Sequence, residues 1–105
     1  MKDIFDRQML LLSLQRALLG EVHPELRQVS IEADPETRIV SLRFEYDGNP
    51  STDARESCSC AATEVISDFP DPWQIDEQHC AVPMPTMLSP LAHIACLRAE
   101  PRAAA

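Results

Sequence analysis

The stretch Asp53 to Pro70, DARESCSCAATEVISDFP, decides how the rest of the chain reads. Ala54, Cys58, Ala61, Val65 and Phe69 recur at helical spacing, so they can meet a core together from one face of a helix. Asp53, Glu64 and Asp68 fall beside that stripe, and Glu56 lies on the far side. Ser51 or Thr52 can cap the helix, and Asp53 and Glu56 put carboxylates at its positive end. Pro70 and Pro72, flanking Asp71, stop it.

Upstream, Asp3 to Leu19 reads as a first helix that ends at Gly20. It carries two apolar stripes. Phe5, Met9, Leu12 and Leu19 form one; Leu10, Leu11, Leu14, Ala17 and Leu18 form the other. A helix apolar on two sides is buried on two sides, against a sheet and either a second helix or a second copy of the chain. After the connector Glu21–Arg27, Val29, Ile31 and Ala33 alternate with polar residues as in a half-buried strand. Asp34-Pro35-Glu36-Thr37 is a turn, and Arg38 to Tyr46 a second strand with Val40, Leu42, Phe44 and Tyr46 on one face. The two strands make an antiparallel hairpin with one wet face.

Downstream, Trp73 to Val82 is a third strand candidate. Pro83, Pro85 and Pro90 stiffen the connection after it. Leu91 to Arg98, LAHIACLR, is nearly all apolar and reads as a fourth strand, central or covered on both faces. The ending AEPRAAA offers little to bury. The expected fold is therefore α+β, in the order α-β-β-α-β-β. Two hairpins join into a four-stranded antiparallel sheet with both helices on one face. Residues 1–100 form one domain and 101–105 a frayed tail.

Nine Lys and Arg face 17 Asp and Glu, a net charge of −8. Phosphate binding needs a basic face, so nucleic acid is not an expected partner. An acidic surface attracts basic proteins instead. The N-terminal MKDIFDRQ lacks the basic start and clean apolar block of a signal peptide. No run approaches about 18 apolar residues, so no membrane span is expected and the cytoplasm is the expected location. Two glycines rule out a Gly-rich phosphate loop, and no nucleophile elbow or H-E-x-x-H occurs. No enzyme activity and no cofactor are expected. Cys58-x-Cys60 lacks the C-x-x-C spacing of zinc sites. His79 beside Cys80, and His93 near Cys96, leave a Cys/His metal site as an alternative, with the two histidines meeting across the sheet. His23 lies in a loop and should be exposed.

Asp53, Glu56, Glu64, Asp68 and Asp71 accumulate over the second helix and its exit, where Arg55 is the only base between Asp47 and Asp76. That imbalance favours a docking surface for a basic protein. Trp73, just beyond, is either a lid on the core or an interface anchor.

Two segments carry a resemblance. One is QRALLGEVHPELR, Gln15 to Arg27, running into Val29 and Ile31; the other is AATEVISDFP, Ala61 to Pro70. From about Met9 to Glu100, including Leu97-Arg98-Ala99-Glu100, the chain resembles small bacterial immunity proteins of contact-dependent growth inhibition systems. Its cysteines (Cys58, Cys60, Cys96) and final AAA depart from that pattern. The resemblance implies a cytoplasmic protein, without cofactor, that binds the toxic C-terminal domain of a cognate exported effector, commonly a nuclease. The rival readings are a small dimeric adaptor paired through the first helix, and the Cys/His metal-binding protein.

Overall fold

The structure is a computed structural model that describes residues 6–101. Helix α1 spans Arg7–Ala17. The Asp6 carboxylate caps it, accepting from the Met9 N–H at 3.0 Å. The expected start at Asp3 lies outside the described residues, as does Phe5. The helix ends at Ala17, and Gly20 follows at φ +78°, a backbone region that glycine enters without a Cβ penalty. Strands β1 (Leu26–Asp34) and β2 (Ile39–Tyr46) pair antiparallel as expected. Their turn is held by the Asp34 carboxylate, which accepts from the Glu36 N–H at 2.9 Å. Helix α2 spans Thr52–Ser67 and is capped by Ser51, whose hydroxyl accepts from the Ala54 N–H at 3.1 Å. Strands β3 (Gln74–Ala81) and β4 (His93–Leu97) complete the order α-β-β-α-β-β.

The sheet runs β3-β2-β1-β4 and is mixed, not purely antiparallel. β3 lies parallel to β2, with Ile39 opposite Gln74 and Tyr46 opposite Ala81. β4 lies antiparallel to β1 on the other edge. The expected second hairpin therefore does not form. The 16-residue α2 is a crossover that carries the chain back to the end where β2 began, so the next strand must run parallel. Nor is β4 central. It is an edge strand, with Ile94 and Leu97 exposed on the side away from the helices. His79 and His93 stand on opposite edges and cannot meet.

Both helices cover one face, α1 over β1 and β4, α2 over β2 and β3. Val40, Leu42, Phe44 and Tyr46 of β2 are fully buried there, with Val29 and Ile31 of β1. Leu10, Leu14, Ala17 and Leu18 meet them from α1; Ala54, Cys58, Ala61, Ala62 and Val65 meet them from α2. Phe69 packs half-buried at the rim. Of the two apolar stripes on α1, only the Leu10–Leu18 stripe is used. Met9, Leu12 and Leu19 remain exposed.

The opposite face of the sheet is not wet along its whole length. The proline-rich connection of residues 82–92 crosses it as a strap from the β3 edge to the β4 edge. Polar sheet side chains hold the strap. Arg27 donates to the carbonyls of Val82 (2.7 Å) and Thr86 (2.8 Å). Glu45 accepts from the Ser89 N–H at 2.7 Å, and Ser30 from the Leu91 N–H at 2.9 Å. This explains how Arg27, Gln28, Ser30 and Glu45 can be buried: each is satisfied by strap or neighbour.

The last described residues are anchored too. Glu100 takes a two-pronged bond from buried Arg27, at 2.7 and 2.8 Å, and a third contact from Arg98 at 2.9 Å. The reading that AEPRAAA has little to bury is thus corrected at Glu100, which closes the clamp. The frayed tail expected beyond it lies outside the described residues except for Pro101.

Candidate functional site

The helical layer places the sequence's candidate residues on one side of the molecule but does not gather them into a pocket. Asp53, Glu56, Glu64, Asp68 and Asp71 are all exposed. From Asp53 to Asp68 the helix rises about 22 Å, so the carboxylates form a line, not a cluster. Asp53 sits in the first turn, where the N–H groups left unpaired by the helix favour its charge. Glu56 points away from the core. Glu64 and Asp68 face α1 across a shallow furrow of about 250 Å³ lined by Ser13, Arg16, Ala17 and Ser67.

Asp68 is partly committed. It accepts from the Ser13 hydroxyl at 2.7 Å and stands 3.4 Å from the Arg16 guanidinium, a contact that ties α1 to α2. With side chains 62% and 43% exposed, that ion pair adds little to stability. Among the described residues no ion pair engages Asp53, Glu56, Glu64 or Asp71. Trp73 is half-buried, its ring tilted 49° against Phe69 with centroids 5.2 Å apart. It is both a rim of the core and partly available, at the end of the carboxylate line.

A second acidic site escaped the sequence reading. Glu32 and Asp34 of β1 and Asp76 of β3 surround a groove of about 390 Å³ at the turn end of the sheet's outer face, beyond the strap. Register explains it: Glu32 lies opposite Ser41, and Ser41 opposite Asp76. Alternation placed Glu32 on the outer face, but only the parallel β2–β3 pairing brings Asp76 beside it.

The interior holds a chain of polar contacts around His79. His79 contacts the Tyr46 hydroxyl through Nδ1 and the Glu77 carboxylate through Nε2, both at 2.7 Å. Ser59 of α2 donates to the same Glu77 oxygen. The His79 ring stacks on Phe44 and Tyr46. This chain bolts α2 to β2 and β3. The His79 side chain is almost fully enclosed, so no substrate reaches it. Burial pushes the Cys58 thiol up to about 11, and burial plus a bond to Cys58 pushes the Tyr46 hydroxyl upward. Neither is poised as a nucleophile. His23 is not free in its loop as expected; its Nε2 bonds the Ser57 hydroxyl at 3.0 Å and pins the connector to α2. Among the described residues, no group of three His, Cys, Asp or Glu side chains is placed to hold a metal ion. No helix there is long and apolar enough to cross a membrane.

What the surface offers, then, is charge and shape for a macromolecular partner. A model of the MafI2 immunity protein family matches residues 7–100. The chain belongs to the MafI2 immunity protein family. That match begins at the first residue of α1 and ends at Glu100, so it takes in every described element and the Arg27 clamp. No curated protein matches the chain significantly. Membership in an immunity family means that the partner is a toxin, neutralised by this protein.

Proposed function

We propose that this MafI2 family member neutralises its toxin by stoichiometric binding in the cytoplasm. The toxin is the C-terminal domain of a contact-dependent growth inhibition effector, and it is a basic nuclease. The contact surface is the α2 side of the helical layer: Asp53, Glu56, Glu64, Asp68 and Asp71, with Trp73 at one end. One observation carries the reading. The chain has a net charge of −8, and four of these five carboxylates stand exposed with no ion-pair partner among the described residues. Nuclease surfaces are basic because they grip phosphate. A line of carboxylates spaced along a helix imitates that ligand and steers the encounter.

The test is a pair of charge reversals. Glu56→Lys with Glu64→Lys alters two exposed residues, so folding stability should change by no more than about 0.5 kcal/mol. Association with the toxin should slow about tenfold or more at low salt, and protection of toxin-exposed cells should weaken. The groove at the sheet end supplies the control. Asp34→Lys with Asp76→Lys changes the net charge equally on the other acidic surface. Should the control pair slow association as much as the α2 pair, the contact is not on α2.

A further inference from the structure

We infer that the exposed apolar stripe of α1 and its exit, formed by Met9, Leu12 and, just past the helix, Leu19, is the anchor that holds the bound toxin. Its occupant is a basic domain presenting an apolar side chain flanked by Lys or Arg. The inference rests on the toxin-binding reading above and adds the part of the surface that charge does not explain.

The stripe is an anomaly of patterning. A surface helix normally turns one apolar face inward and polar residues outward. Here the inward face is complete without the stripe, since Leu10, Leu14, Ala17 and Leu18 already fill the core. Met9 and Leu12 are nevertheless 50% exposed and Leu19 78%. Val22, on the connector after the helix, is exposed as well. Half of the eight exposed large hydrophobics among the described residues thus lie on α1 and its exit. Ile94 and Leu97 point to the other side of the sheet, and Met84 and Met87 belong to the strap, so neither pair extends this patch.

Position selects the occupant. Met9 lines a second hollow between the helices, which shares Ser13, Arg16 and Asp68 with the furrow that holds Glu64. Through Met9 the apolar stripe therefore adjoins Asp68, and beyond it Glu64, on one surface. Stable interfaces have this arrangement, an apolar centre with charge at its rim. A second copy of the chain fits poorly. A two-fold contact would set this patch against itself and bring together two chains each carrying −8. A basic domain meets the carboxylates with opposite charge and the stripe with an apolar residue. The roles then divide: α2 charge governs arrival, and α1 apolar contact governs departure.

The experiment measures binding to the C-terminal toxin domain encoded beside this chain's own gene, by surface plasmon resonance. The variants are Met9→Ala with Leu12→Ala, and separately Leu19→Ser, which lies past the end of α1 and cannot disturb the helix. Light scattering records the oligomeric state of the wild type and of Leu12→Glu. The alanine pair should raise the dissociation rate tenfold or more and change the association rate less than twofold. Leu19→Ser should shift dissociation in the same direction. The free wild type should be a monomer. An unchanged dissociation rate in folded variants overturns the inference, and so does a wild-type dimer that Leu12→Glu splits. If the wild type ignores the toxin domain altogether, the proposed function itself is wrong. If it binds and the α1 variants bind equally well, only the anchor is wrong.

Discussion

Replacing Glu45 by Gln tests the least expected feature of the fold, the strap across the outer face of the sheet. Glu45 is 1% exposed and accepts twice, from the Gln28 side-chain amide at 2.9 Å and from the Ser89 N–H at 2.7 Å. A carboxylate can satisfy both donors. A carboxamide keeps its oxygen on the Ser89 N–H only by turning its NH2 toward Gln28, whose own amide must then flip to accept, so both bonds survive only as neutral ones. The change therefore trades two buried bonds to a charged acceptor for neutral ones, a loss of about 1 kcal/mol each and about 2 kcal/mol together. For a domain of this size, stable by about 5–15 kcal/mol, that is a large share. The urea midpoint should fall by about 1–2 M with the slope unchanged. Hydrogen exchange supplies the local readout: the Ser89 amide should be protected in the wild type and exchange faster in Glu45→Gln. An unchanged midpoint, together with a fast-exchanging Ser89 amide in the wild type, would mean that the strap is not seated and the outer face is wet.

Two further outcomes follow from the titrating groups. Asp47 lies below the usual carboxylate range because it accepts from the Met84 N–H and from Arg98, and Glu100 because it accepts from Arg27 and then Arg98. A folded value below the unfolded one contributes stability that is complete above about pH 4.5 and is lost as pH falls through the folded value. The melting temperature should therefore descend below about pH 4, and Glu100→Gln should lower the neutral plateau and flatten that descent; parallel curves for the two proteins would refute it. Cysteine chemistry separates the two thiols of α2. Cys60 is exposed whereas Cys58 is buried and raised to about 11, so iodoacetamide at neutral pH should label Cys60 first and Cys58 only on unfolding; mass spectrometry of the digested protein checks the order.

Much of the fold was legible because it rests on local periodicity. The α2 stripe from Ala54 to Val65 and the β2 alternation from Val40 to Tyr46 are both fully buried, as their spacing requires. Strand pairing was not legible. The apolar run LAHIACLR suggested a central strand, but an edge strand roofed by α1 needs apolar residues too, and Ile94 and Leu97 simply stay exposed. The error about β3 came from treating neighbouring strands as a hairpin. The connection of residues 82–92 is long enough to cross the sheet, and what seats it there is Arg27, Ser30 and Glu45, ordinary polar residues whose partners are more than 40 positions away. The carboxylates of the candidate site were correctly placed outside by helical angle, since exposure on α2 depends only on position around one axis. That Asp68 also grips Ser13 and Arg16, and that Asp76 joins Glu32, depends on how elements meet, which spacing along the chain does not encode.

The central claim is that this immunity protein works as an acidic plug for a basic toxin. Titrating the cognate toxin domain with the protein, while following both toxin activity and association rate across a salt series, tests it most directly. The account predicts that activity disappears at one equivalent and that association slows about tenfold or more between low and physiological salt. Residual activity at saturation, or an association rate indifferent to salt, would contradict it.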